Sequence, residues 1–192
     1  SDPSDWCIFS TQPLKLTIVP PVRVAEPKQP LTVVGVHEKA TALQMRYDVS
    51  NTLIPGRFSG AGGERLFTPE RNWQPVSNTV IAVQVVNGVT SEPSDPCSFA
   101  AKAPKPVIVA PTDALWPDQP LTIIDVYPHS PSVQLDMYNE ANYRVKGVFS
   151  HEGAERTFTP TAGWTPGHHK LRVIQSVGGV VSDPSDWCEF TA

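Results

Sequence analysis

No apolar run in this 192-residue chain approaches the ~20 residues that cross a bilayer as a helix, which excludes direct membrane insertion by that route. Blocks of like charge are absent too. The net charge is −4 and only 18% of residues are charged, so neither a nucleic-acid footprint nor a basic face for anionic lipid is indicated. Histidine, serine and aspartate are present but form no Gly-x-Ser-x-Gly signature, and no glycine loop is built to cradle phosphate, so no enzymatic activity is expected. No Asn-x-Ser/Thr acceptor for glycosylation occurs. Cysteine is limited to Cys7, Cys97 and Cys188.

Proline is abundant instead, with 21 residues against 12 glycines, scattered between short Val/Ile/Thr/Leu runs. That is the punctuation of an all-β protein. One stretch explains the rest. SDPSDWC at Ser1 to Cys7 returns unchanged at Ser182 to Cys188, and a variant, SEPSDPC, spans Ser91 to Cys97. Around these copies KQPLTVVGV at Lys28 to Val36 matches DQPLTIIDV at Asp118 to Val126, and ERLFTP at Glu64 to Pro69 matches ERTFTP at Glu155 to Pro160. Trp73 and Pro75 match Trp164 and Pro166, and VQVVNGVTSEPSDPCSF from Val83 matches IQSVGGVVSDPSDWCEF from Ile174. The offset is 90 up to about Asp48 and 91 from Gly56, which places one extra residue in the intervening loop of the second copy. A repeat of this length implies two folded units. Residues 11–102 and 103–192 are the expected domains, and residues 1–10 are expected to be the final strand of a preceding repeat, the chain being an excerpt from a longer protein.

The first copy carries seven strand signals: Leu14 to Val19, Leu31 to Val36, Ala42 to Val49, Gly56 to Ser59, Arg65 to Thr68, Thr79 to Val86 and Pro96 to Phe99. Seven short strands in about 90 residues suggest a β-sandwich. Leu43/Val133, Met45/Leu135 and Tyr47/Met137 stay apolar between copies while their neighbours are polar, the period-two signature of one buried face. The same logic turns Val80/Leu171, Ala82/Val173 and Val86/Val177 inward, and puts Gln84/Gln175 on that inner face. Either these glutamines are buried with partners, or a bulge shifts the register. Asn87-Gly88 and Gly178-Gly179 suit tight hairpin turns.

The pattern Phe158-Thr-Pro, Trp164, Pro166-Gly167, Leu171, Val173, Gly178-Gly179, Ser182 to Ser185 and Phe190 resembles the fibronectin type III-like and bacterial immunoglobulin-like repeats of large exported proteins. It covers the second half of each repeat, and the first half through strand number. The resemblance implies two tandem immunoglobulin-like (fibronectin type III-like) sandwiches of about seven strands. It also implies an extracellular or bacterial cell-surface parent, in which such units act as spacers, as adhesive modules or as supports for the catalytic part of a toxin.

Several residues are candidates for more than scaffolding. Each motif copy holds an acidic pair, Asp2 and Asp5, Glu92 and Asp95, Asp183 and Asp186. Asp95 and Asp186 could contribute to a calcium site at a domain end, yet calcium needs 6–8 oxygens and no other acidic cluster recurs. A turn shaped by Asp-Pro and Ser-Asp is the simpler reading, and no cofactor is expected. Cys97 and Cys188, two residues from Phe99 and Phe190, are expected as buried thiols facing the core. Equivalent points of successive domains lie too far apart for the ~5.5 Å between α-carbons of a disulfide. Trp73 and Trp164 are expected to plug the ends of their sandwiches. Trp116 lacks a counterpart, since the matching segment of the first copy places Ala25 or Glu26 there, and it is the candidate contact for a host glycan or surface protein. His168-His169, His37, His129 and His151 have no matching histidine in the other copy and are expected in exposed loops. Neighbouring repeats of the parent chain are the other expected partners.

Overall fold

A computed structural model describes residues 11–128, 133–150 and 153–192. All regular structure in them is β. By packing the chain divides into two units, one holding Lys28–Arg71, Asn78–Phe99 and the described part of Ser1–Arg23, the other Ala100–Ala192 with Val24–Pro27 and Asn72–Ser77.

Each repeat builds the same two sheets. In the first, β1 (Thr17–Val19), β2 (Leu31–Val34), β5 (Glu64–Pro69) and β4 (Gly56–Ser59) pair in that order. The second sheet joins β3 (Ala40–Tyr47) to β6 (Asn78–Val86), whose other edge carries β7 (Val89–Thr90) and then β8 (Cys97–Phe99). The second repeat reproduces this with β9 (Val107–Ile108), β10 (Leu121–Ile124), β13 (Arg156–Pro160) and β12 (Gly147–Phe149) in one sheet. Its other sheet joins β11 (Val133–Asn139) to β14 (His168–Val177), flanked by β15 (Val180–Val181) and β16 (Cys188–Thr191). All ladders between strands are antiparallel. Four strands facing three, with the last one split in two, is the constant-type immunoglobulin arrangement.

Alternation decides what goes inside. β2 and β10 read Leu-Thr-Val-Val and Leu-Thr-Ile-Ile, and their first and third residues are buried. Met45 and Met137 are both fully covered, as are Phe67 and Phe158, with each large apolar side chain contributing about 1.5–3 kcal/mol on burial. The phenylalanines need close-packed glycines opposite: a Cβ on Gly56 would overlap the Phe67 ring and lie 2.6 Å from Thr68 O, and one on Gly147 would overlap Phe158 and lie 2.6 Å from Thr159 O. At the hairpins, Asn87-Gly88 (φ 51 and 79) and Gly178-Gly179 (φ 55 and 83) both take the left-handed backbone that joins strands of native twist.

Two expectations change. The single final strand is split, because β7 ends at Thr90 and regular pairing resumes only at Cys97. The alignment through the third strand also slips. Leu43 faces Gln84 and Met45 faces Ala82, whereas Leu135 faces Gln175 and Met137 faces Val173. The structural partner of Met45 is therefore Met137, two residues beyond the match read from sequence, and the turn after the strand is one residue shorter in the second repeat. A bulge between Ala40 and Ala42 absorbs part of the difference in the first. The slip is even-numbered, so it leaves every side chain on its expected face.

Candidate functional site

The motif that marks the repeat is a device for continuing a ladder across prolines. Proline has no N–H to donate, so Pro93 and Pro96 cannot pair as ordinary strand residues beside β6. The serines beside them keep the contact, with their backbone N–H as donor and their hydroxyl as acceptor in place of a ladder carbonyl. Ser91 N–H donates to Gln84 O (2.9 Å) while Ser91 Oγ accepts from Gln84 N–H (3.1 Å), and Ser94 does the same with Ala82 at 2.9 and 3.0 Å. Each hydroxyl then donates onward, Ser91 to Glu92 O and Ser94 to Asp95 O. Ser182 pairs with Gln175 and Ser185 with Val173 in the same manner. All four serines are buried. Their spacing of three recurs in every copy of the motif, a signal visible in the sequence beside the acids that were singled out.

Gln84 and Gln175 resolve the open alternative in favour of burial: both are 0% exposed and bonded at both ends of the amide. Gln84 Oε1 accepts from His37 N–H (2.8 Å), and Nε2 donates to Leu14 O (2.7 Å) and Gly35 O (3.3 Å). Gln175 Oε1 accepts from Tyr127 N–H (3.0 Å), and Nε2 donates to Pro104 O (2.6 Å) and Asp125 O (3.1 Å). The positive φ of Gly35 (84) and Asp125 (60) bends the chain where these carbonyls are offered. One side chain thus ties the segment entering each sandwich and the end of its second strand to the long central strand.

The acids of the motif point outward to lysines. Asp95 Oδ1 lies 2.7 Å from Lys15 Nζ, and Asp186 Oδ1 lies 2.7 Å from Lys105 Nζ, an identical pairing in the two repeats. Asp183 Oδ1 lies 2.9 Å from Lys102 Nζ. Among the described residues no group of three or more His, Cys, Asp or Glu side chains is gathered as a metal site. Asp2, Asp5 and Cys7 lie outside the described residues.

Cys97 and Cys188 are buried free thiols beside Phe99 and Phe190, and burial pushes both thiols up from their ordinary pKa, with Glu189 adding to the effect at Cys188. Trp164 is 5% exposed, donates Nε1–H to Gln119 O (2.8 Å) and meets Phe190 edge-on with centroids 5.2 Å apart. Trp73 is 1% exposed, and its backbone N–H reaches Pro27 O at 2.7 Å, as that of Trp164 reaches Pro117 O at 2.7 Å. His168 lies 3.6 Å from Glu189, while the ring of His169 stacks on Phe190 at 5.1 Å; His37 Nδ1 accepts from Lys39 N–H, and His129 and His151 lie outside the described residues. Trp116 is 75% exposed on a loop before β10. Sequence reasoning missed Trp187, whose ring lies under the Arg172 guanidinium at 4.7 Å, a cation–π contact on the outer face of β14.

Fold and repeated clamps together define a pair of tandem immunoglobulin-like β-sandwich repeats. No known protein family matches the chain, and no curated protein does. Solved structures with similar folds include a biofilm-associated protein, BSP domain (15% identity, TM-score 0.36), which covers 91% of this chain. An I-band fragment of titin (14%, 0.36) also covers 91%, and the chicken CNTN1 FN1-FN3 domains (12%, 0.40) cover 94%. This chain spans 29%, 62% and 65% of those three chains respectively.

Proposed function

We propose that these repeats are a non-enzymatic, load-tolerant spacer in a larger bacterial surface or secreted protein. One observation carries the reading: the start and finish of each sandwich are fastened to one another by bonds that recur in both copies. Lys15 pairs with Asp95 and Lys105 with Asp186, while Gln84 and Gln175 hold the carbonyls of Leu14 and Pro104. In the first repeat Gln12 Nε2 also reaches Thr90 O at 3.3 Å, so the incoming segment runs parallel to the outgoing one. Tension applied through the chain ends loads these neighbouring segments in shear, where several bonds must fail together. What the copies share is therefore the fastening, and what they vary is the surface.

Pulling the two-repeat protein between its ends tests this. Two unfolding events are expected, each releasing roughly 300 Å of chain for a unit of about 90 residues, and replacing Lys15 and Gln84 together should lower the force of one event only. A single event, or an unchanged force, is incompatible with the spacer reading. A second reading, an adhesive module, is favoured by Trp116, which is 75% exposed and has no counterpart in the first repeat. Specific binding to glycan or protein that Trp116→Ala abolishes would support it. Placement on the cell surface, and service as a support for the catalytic part of a toxin, are readings of the parent protein.

A further inference from the structure

On the open side of the second sandwich, the edge strands β11 and β12 border a cleft of ≈ 540 Å³. That is within the ~300–1,000 Å³ of ordinary small-molecule sites. Arg156 of β13 lines it and is only 8% exposed. Among the described residues the one hydrogen bond of its guanidinium is a long Nε–H contact to Gly153 O, at 3.4 Å, and it forms no ion pair. Among those residues its two terminal nitrogens are unbonded yet not buried, so the side chain is packed along its stem and offers its paired N–H groups to an anion that enters the cleft. The acid that shares the cleft, Asp136, is already engaged by Arg144 Nη2 at 2.6 Å, so the described lining residues carry one positive charge in excess.

The remaining lining is suited to hydroxyl groups and one apolar face. Ser150 Oγ accepts from Thr157 N–H at 2.9 Å and retains its own proton to donate, and Gln134 and Phe149 line the cleft beside it. The first repeat lacks this set. Ala42, Gln44 and Leu53 stand at the places of Gln134, Asp136 and Arg144 in the strand registers. Arg65, in the place of Arg156, has its Nη1 satisfied by the carbonyls of Gly62 and Glu64. The scaffold therefore does not require the cleft.

We propose that the cleft binds an acidic monosaccharide unit, a pyranose bearing a carboxylate. Arg156 takes the carboxylate, Asp136, Gln134 and Ser150 the hydroxyls, and Phe149 the apolar ring face. The inference is independent of the spacer reading and of Trp116.

Amide chemical-shift titration of the two-repeat protein with glucuronate tests it, with glucose, acetate and N-acetylglutamate as comparison probes. Saturable shifts confined to β11, β12 and β13 are expected, with a Kd in the millimolar range and glucose at least about tenfold weaker. Arg156→Gln should abolish them in a protein whose other amide shifts are unchanged. Should that variant fail to fold, the exposed Arg144→Ala keeps the test, because it frees the Asp136 charge to repel the ligand. Acetate or N-acetylglutamate binding as well as glucuronate would overturn the assignment to a sugar. Absence of saturable shifts up to about 50 mM glucuronate would overturn the site itself.

Discussion

Replacing Gln84 by leucine removes a buried amide of nearly the same volume and leaves three backbone groups without their partner: His37 N–H, Leu14 C=O and Gly35 C=O. Each such group left unsatisfied costs about 1–3 kcal/mol, while the apolar replacement recovers part through burial. The three sit together and can share a relaxation, so the net loss is about 3 kcal/mol rather than the full sum. With a urea slope of about 1.5 kcal/mol/M for a unit of this size, the midpoint of the first repeat should fall by about 2 M. The second repeat, whose own clamp at Gln175 is untouched, should keep its midpoint. Urea unfolding followed residue by residue in amide spectra separates the two. A loss under about 1 kcal/mol would refute the reasoning, because it would mean that water replaces the amide at all three groups at little cost.

Ser182→Ala and Ser185→Ala should each cost about 1–2 kcal/mol by orphaning the N–H groups of Gln175 and Val173, read as a lowered urea midpoint of the second repeat. Gly56→Ala and Gly147→Ala should each destabilise their own repeat by about 1–3 kcal/mol, through overlap with Phe67 and Phe158, measured in the same way. The thiols of Cys97 and Cys188 have pKa values raised by burial, so the unfolded chain loses these protons first and their contribution to stability fades as pH rises through the thiol range. A thiol reagent near neutral pH should then label them only at the rate of unfolding. Glu189 is held below its ordinary pKa by Lys170, so its contribution is present at neutral pH and lost as pH falls through the folded value. A carboxyl NMR titration should show its midpoint move up in Lys170→Met.

Much of the fold was readable because a duplicated sequence gives every position a second opinion. Leucine, threonine and two β-branched residues in both Leu31 to Val34 and Leu121 to Ile124 leave little besides a half-buried strand. The slip at Met45 and Met137 was hidden because a shift by two preserves the alternation from which the face was read, and only hydrogen-bond partners reveal it. The motif misled for a different reason. Its acids are the residues that carry recognisable chemistry, yet they face lysines on the surface, and the structural task falls to Ser91, Ser94, Ser182 and Ser185, whose hydroxyls accept the N–H groups of the central strand in place of ladder carbonyls. The cleft at Arg156 was out of reach, since it depends on how two strand edges of different sheets come together.

Force spectroscopy of the two-repeat chain beside Gln84→Leu and Gln175→Leu tests most directly whether each repeat is fastened by its own glutamine. Each variant should weaken one of two otherwise similar unfolding events and leave the other in place. Equal weakening of both events by either variant, or no change in force from the two together, would contradict the claim that each repeat is fastened shut by its own glutamine.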